Sequence, residues 1–361
     1  MRTDRIEKIL KGMREHGMDQ MIISDPSTLY YLTGRFAPSG GRLFALYLDT
    51  QGGLAFFMNT LQTDYARMAG SAEIVWYSDS DNPIRLLAGK IRPGAVVGVD
   101  RNWSSGFLLG LMSQAEARYV LNSRVIDYIR MVKDEGEIQL LRQSQEVNEK
   151  VIGQMFEYVD PDLTEQKHHR MLHEAYCSYG ADGYNIIGVV AYGKSCGYAH
   201  HKPDDTKPVP GDCIMIDAGA RLNGYRSDMT RTVFYKSVPD KMRNIYEVVK
   251  EAQLTAMDAV KPGARFCDID RAGRDVIARH GFGNYFTHRI GHNIGIDGHE
   301  FPDVGGGNTM EIRPGMVFSV EPGIYIPGLG GVRIEDLVAV TEDGCDCLNR
   351  MSKDLRVIKA D

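Results

Sequence analysis

Two aspartates, Asp217 and Asp228, lie in IMIDAGARLNGYRSDMTRTV, residues 214–233, a stretch otherwise composed like a pair of strands. Aspartate is depleted in strands, so two of them ask for a chemical reason. Asn223-Gly224 is a hairpin-turn signal. As a two-residue loop it sets Asp217 opposite Thr230 and Asp228 opposite Gly219, which makes the aspartates diagonal neighbours. A four-residue loop, 221–224, would set Asp217 directly against Asp228. In either register the two carboxylates share one face of the hairpin. Carboxylates this close repel, and if buried they need a proton or a cation between them. A solvated outer face would remove that need. The apolar flanks Cys213, Met215 and Val233 argue against a wet strand, and a bound metal ion accounts for the pair better.

Further donors follow. THRIGHNIGIDGHE, residues 287–300, holds His288, His292 and His299, three of the ten histidines in the chain. Gly291, Gly295 and Gly298 disfavour a regular helix there and suggest a backbone bent closely around something. Neutral imidazole is the commonest nitrogen ligand for metals. In GMVFSVEPGIYI, Glu321 ends an apolar run and Pro322-Gly323 turns the chain at once. In GGVRIEDLVAV, Glu335 and Asp336 are adjacent, and because strand side chains alternate, one of them points inward. His168, His169, His173 and Glu174 form a competing cluster. His169 and His173 have the spacing of a zinc-protease helix, but that motif needs an acid after the first histidine and Arg170 stands there. They read as a solvated helical face. Cys345 and Cys347 are too closely spaced for a zinc site and lack a second pair, and the glycines of 304–308 read as a loop.

The elements that must position these residues form two parts. Residues 1–130 alternate apolar runs such as MIIS, LFALYLD, GLAFFM, EIVWY and AVVGVD with helical patterns, as a smaller α/β domain does. They contain no GxGxxG after a strand and no GxxxxGK, so no nucleotide loop is expected. Residues 131–361 hold a faint internal repeat. A long helical pattern at about 137–158 stops near Pro161, and a second ends at Gly180 before strands begin. The order recurs with a helix at about 239–260, a stop at Pro262-Gly263, a second helix ending at Gly281, and strands. The spacing Pro161–Gly180 equals the spacing Pro262–Gly281. Helix, helix, strands, twice, reads as a duplicated α+β unit with a site between its halves.

The order Asp217, Asp228, then GH at 291–292, EPG at 321–323 and RIED at 333–336 resembles the catalytic domain of the creatinase/aminopeptidase P/prolidase/methionine aminopeptidase superfamily, the M24 metallopeptidases. The resemblance covers about residues 135–361, and residues 1–130 resemble the N-terminal domain of the prolidase and aminopeptidase P branch. It implies an α+β "pita-bread" catalytic domain with an internal pseudo-twofold. It also implies two divalent metals on Asp217, Asp228, His292, Glu321 and Glu335, with Asp228 and Glu335 bridging. By resemblance Glu321 also shuttles a proton, and His288 and His299 contact substrate. Arg333 matches the arginine beside the last ligand. His200 in YAHHKPDD matches a histidine that protonates or positions the leaving nitrogen, with His201 its near rival. Four carboxylates and one imidazole make a hard, oxygen-rich set that suits manganese first, with cobalt, zinc or iron(II) as alternatives. The implied reaction is hydrolysis of the bond before proline in short peptides by a metal-bridging hydroxide. The short tail after Glu335 favours a compact dipeptidase over a long aminopeptidase P.

The totals set the remaining bounds. A net charge of −6 gives no electrostatic footprint for nucleic acid or an anionic membrane. No apolar run is long enough for a transmembrane helix, and the N-terminus has helical spacing, unlike a signal peptide. Six cysteines in 361 residues are no disulfide framework and fit a reducing cytoplasm. The resemblance implies a homodimer. Two rivals stand beside the peptidase: a hydrolase or lyase of a small non-peptide metabolite on the same scaffold, and a non-catalytic peptide-binding module.

Overall fold

The computed structural model describes residues 1–38, 40–182 and 187–359, and the chain divides into two compact units, Met1–Arg130 and Met131–Asp361. In the first, helices α1 (Thr3–Glu15), α2 (Pro26–Thr33), α3 (Pro83–Ala88), α4 (Ser105–Met112) and α5 (Ser123–Arg130) accompany a six-stranded sheet. Its strands are β1 (Gln20–Ile23), β2 (Ala45–Asp49), β3 (Leu54–Asn59), β4 (Glu73–Tyr77), β5 (Val96–Val99) and β6 (Arg118–Leu121), in the order β4-β3-β2-β1-β5-β6. Ile22, Tyr47, Phe57 and Val97 form its core.

The second unit contains the repeat. Helices α6 (Glu135–Glu157) and α7 (Glu165–Ser178) precede β7 (Ile187–Tyr192), β8 (Cys213–Gly219), β9 (Arg221–Leu222), β10 (Tyr225–Arg226) and β11 (Met229–Tyr235). Helices α8 (Asp240–Asp258) and α9 (Phe266–Arg279) then precede β12 (Gly291–Asn293), β13 (Glu300–Val304), β14 (Val317–Val320), β15 (Gly323–Ile326), β16 (Gly330–Arg333), β17 (Asp336–Val340), β18 (Cys345–Cys347) and β19 (Val357–Ile358). One sheet runs β19-β11-β8-β7, and another β13-β12-β14-β17-β18. The helix starts follow from local chemistry. Asp134 caps α6 in a reciprocal box with Glu137, and the Thr164 hydroxyl accepts the Lys167 N–H at the start of α7.

The hairpin takes the two-residue register: Asp217 faces Thr230 and Ala218 faces Met229, with Leu222 against Tyr225 nearest the turn. Asn223 and Gly224 both have positive φ, 50° and 84°, as such a turn demands. Strand β8 is buried on both faces. Ile214, Ile216 and Ala218 pack with Val151, Met155 and Tyr176 of α6 and α7. Cys213 and Met215 pack on the other side, in the core formed by α8, α9 and Phe318. Asp217 shares the Cys213 and Met215 face, so its carboxylate is directed away from open solvent by the alternation of the strand.

Close backbone approach marks both halves. A Cβ added to Gly219 would collide with the Ser227 carbonyl oxygen, and one added to Gly291 with the Ser319 carbonyl oxygen. Gly291→Ala should therefore destabilise by about 2–4 kcal/mol, because backbone and not a flexible side chain must yield. Urea denaturation checks this, and a shift under ~0.5 kcal/mol would show that the strands part easily.

One expectation needs correction. His168 does not lie on a solvated face. It is fully buried, with Nδ1 2.7 Å from the Tyr192 hydroxyl and Nε2 2.9 Å from the Met155 carbonyl. Two hydrogen bonds offset the burial of the ring, and burial holds its pKa down at about 4. His173 and Glu174 are exposed, as that reading has them.

Candidate metal centre

The five candidate ligands come from strand ends in the two sheets. Asp217 lies in β8, and Asp228 immediately precedes β11. His292 lies in β12, Glu321 immediately follows β14, and Glu335 immediately precedes β17. Strands β14 and β17 pair Val320 with Asp336, so Glu321 and Glu335 emerge at the same end of neighbouring strands. The sheets are stitched together at this point. The Glu335 N–H donates to the Thr230 carbonyl at 3.1 Å, Thr230 Oγ1 donates to Glu335 Oε2 at 2.8 Å, and Arg231 donates to the Glu335 carbonyl at 2.7 Å.

The ligating atoms of Asp228, His292 and Glu335 lie within 4.8 Å of one another. His292 Nε2 is 3.7 Å from Asp228 Oδ2 and 3.6 Å from Glu321 Oε1. Those distances are too long for hydrogen bonds. They match the span that two donors make around one ion with bonds of roughly 2.0–2.2 Å. The imidazole is oriented for it: Nδ1 faces the Asn293 carbonyl at 3.2 Å, so Nδ1 carries the hydrogen and Nε2 presents its lone pair. Burial, and then the charge of His299, whose ring lies tilted with its centroid 4.0 Å away, hold the His292 pKa at about 3, which keeps the ring neutral.

Charge is short on the positive side. Burial, and then mutual repulsion, pushes the carboxyls of Asp228, Glu321 and Glu335 well above their ordinary values. The buried cation beside them, Arg333, is already engaged: Nη2 with Asp217, Nη1 with the Tyr325 hydroxyl at 2.7 Å, and Nε with Thr230 Oγ1 at 3.0 Å. Arg226 and Arg289 add their charge to Asp228 and Glu321, yet the carboxyls stay raised, so the four acids need protons or added cations, and a hard oxygen-rich donor set of this kind accepts divalent ions.

The other candidates surround this cluster. His288 is half-buried, with Nε2 2.8 Å from the Tyr325 hydroxyl, and burial plus the charge of Arg333 hold its pKa at about 4. His299 is exposed, and its Nδ1 lies 3.4 Å from Arg289 Nη2. His200 is exposed, and its charge bears on both His288 and His299. His201 turns elsewhere, with Nε2 2.6 Å from Glu165 Oε2. Glu335 and Asp336 part as alternation requires, but both are buried. Asp336 meets Arg231 at 2.6 Å and Lys353 at 2.5 Å, so it is neutralised away from the cluster. Sequence reasoning missed Thr230 and Tyr325, which hold Glu335, Arg333 and His288. Thr230 was readable as the residue opposite Asp217. Tyr325, a tyrosine in an apolar strand, carried no signal.

Residues 139–342 match the pattern of metallopeptidase family M24, and residues 5–132 that of the creatinase/prolidase N-terminal domain. The chain is 33% identical to an Xaa-Pro dipeptidase of Lactobacillus delbrueckii subsp. lactis, over 98% of each chain. It superposes on the crystal structure of a prolidase from Thermococcus sibiricus with a TM-score of 0.94 and 33% identity, over 99% of each chain. A dipeptidase structure from Pyrococcus horikoshii OT3 gives a TM-score of 0.93 at 32% identity, over 98% of this chain and 100% of that one.

Proposed function

Because the chain belongs to metallopeptidase family M24, we propose that it hydrolyses the peptide bond before proline in short peptides, using divalent metal ions held where the two repeated halves of residues 131–361 meet. The observation that carries this is the largely buried set Asp228, His292 and Glu335, whose donor atoms converge within 4.8 Å while burial and mutual repulsion push the Asp228 and Glu335 carboxyls well above their ordinary values. In this reading Asp217, Asp228, His292, Glu321 and Glu335 hold two ions. Manganese is the first choice for so hard a donor set. When bound, such ions lower the pKa of a water and polarise the scissile carbonyl.

The chain's own residues do the rest. Arg333 fixes the Asp217 carboxylate from one side and the Tyr325 hydroxyl from the other. Tyr325 in turn holds His288 Nε2 at 2.8 Å and the Arg289 carbonyl holds its Nδ1 at 2.6 Å, so a neutral ring is fixed beside the substrate. His299, its ring tilted against His292 with centroids 4.0 Å apart, orients the carbonyl in this reading. Glu321 Oε1 takes a proton from the attacking water and passes it to the leaving nitrogen of proline, a general acid–base role. His200 positions that nitrogen. The bond before proline is a tertiary amide without an N–H, and the ring fixes φ. A site that grips side groups therefore suits it better than one that grips an extended backbone. Among the described residues no helix is long and apolar enough to cross a membrane. A cytoplasmic homodimer completes the reading.

The test is turnover by metal-stripped protein given manganese back, with an Xaa-Pro dipeptide and a longer Xaa-Pro-Pro peptide in parallel. Cleavage of the dipeptide alone is expected. Cleavage of the longer peptide would mean aminopeptidase P behaviour. Cleavage of neither, with metal bound, would move the substrate outside peptides.

A further inference from the structure

The segment 199–206 ties the candidate centre to the start of α7. At one end the Ala199 carbonyl accepts from Arg333 Nη1 at 3.5 Å. At the other the first turn of α7 grips it: the Glu165 N–H donates to the Thr206 carbonyl at 3.1 Å, and the Gln166 N–H to the Asp204 carbonyl at 3.0 Å. The Glu165 side chain, fully buried, completes the grip. Its Oε1 accepts the Tyr192 N–H at 2.8 Å, and its Oε2 accepts the Asp204 N–H at 3.0 Å and lies 2.6 Å from His201 Nε2. Between these anchors stands His200, exposed and within electrostatic reach of His288 and His299.

A carboxylate this deep is costly unless donors match it. Among the described residues the one side chain in ion-pair contact with Glu165 is His201. Glu165, His201 and Asp204 also have donor atoms within 4.8 Å of one another, as an ion site would. Both lone pairs of Glu165 Oε2 are already taken, however, by His201 and the Asp204 N–H, and Asp204 Oδ1 accepts the Thr206 N–H at 2.7 Å. The cluster is a closed hydrogen-bonded knot, which suits a latch.

We propose that His201 is a positioning residue: its contact with Glu165 locks the segment 199–206 so that the adjacent His200 is held at the reaction centre. Adjacent histidines then divide the labour, one toward the substrate and one toward the scaffold. The proposal rests on His200 acting at that centre.

Steady-state kinetics on one Xaa-Pro dipeptide, with manganese-loaded wild type, His200→Ala, His201→Ala, His201→Gln and the double alanine variant, tests it. His201→Ala should lower kcat about tenfold with KM moved less than about twofold, as expected when a reacting group is misplaced and binding is kept. His201→Gln retains an N–H donor for Glu165 and should recover most of that loss. In the His200→Ala background, adding His201→Ala should cost less than about twofold more, because the latch has nothing left to position. Equal losses with and without His200 would overturn the proposal, and so would a fully active His201→Ala. If His201→Ala does not fold, Glu165→Gln keeps the volume, weakens the same contact and should give the same non-additivity. A fully active His200→Ala would remove the premise instead, and that outcome is read from the single variant alone.

Discussion

Glu335→Gln is expected to lose metal and turnover together, with activity falling by about three orders of magnitude or more, some 4 kcal/mol of transition-state stabilisation. The side chain is 1% exposed, and its Oε2 accepts from Thr230. Glutamine keeps the volume but replaces an anionic oxygen with an amide that cannot ligate through nitrogen. The same change should not weaken the metal-free protein. Burial and the charges of Asp228 and Asp217 already hold the Glu335 carboxyl well above its ordinary value. Removing a charge that the fold disfavours leaves metal-free stability equal or higher. Metal content by atomic emission and melting temperature, with and without chelator, check both halves. A variant that keeps two ions and full turnover would remove Glu335 from the centre.

Metal affinity should rise steeply with pH, by about tenfold per pH unit for each proton displaced. The sign follows from the raised carboxyls. Asp228, Glu321 and Glu335 have folded pKa values above their ordinary 3.8 and 4.5. The metal-free folded chain therefore binds protons more tightly than the unfolded one. Their contribution to metal-free stability is full below the ordinary values and is lost as pH rises through the raised ones. His292 and His288, held at about 3 and about 4, have the opposite sign, since their contribution is full above 6.5 and is lost progressively as pH falls from there through the lowered values. Above pH 6.5 these two imidazoles are neutral in the folded chain, so the trend there reports the carboxyls together with any water that ionises on the bound metal. Calorimetric titration with manganese between pH 6.5 and 8.5, in buffers of different ionisation heat, measures the protons released. An affinity independent of pH across that window would mean the acids are already ionised and paired.

The part of this site that could be read from the sequence is the part that local rules govern. Asn223-Gly224 marked the turn and left two registers open, and the period of two placed Asp217 and Asp228 on one face in either of them. The helix pairs were legible because apolar periodicity runs through them and Pro161, Gly180, Pro262-Gly263 and Gly281 mark their ends. What could not be read depends on contacts between residues distant in sequence. Arg333 meets Asp217 over a separation of 116 residues, and Tyr325 joins His288 over 37. No periodicity encodes either. His168 shows the same limit. Its helical spacing suggested a wet face, yet the strand bearing Tyr192 comes to lie over it. That His201 meets Glu165 could not be read either, because only the packing of α7 reveals the burial of that acid. The repeat itself was visible as spacing, while the stitching by Thr230, Arg231 and Glu335 was not.

The edge of β11 bears on how the chain is made. Its residues MTRTVFY are all buried, and they pair with β8 on one side and β19 on the other. The Phe234 N–H donates to the Arg356 carbonyl and the Lys236 N–H to the Ile358 carbonyl at 2.7 Å. These partners are more than a hundred residues downstream, so at ~5–20 residues per second a growing chain exposes an apolar strand edge for on the order of ten seconds. Such an edge is a template for pairing with a neighbouring nascent chain. The short strand Val357–Ile358 is thus a late-arriving cover, and a chain that ends before Arg356 would fail first by aggregating during its synthesis.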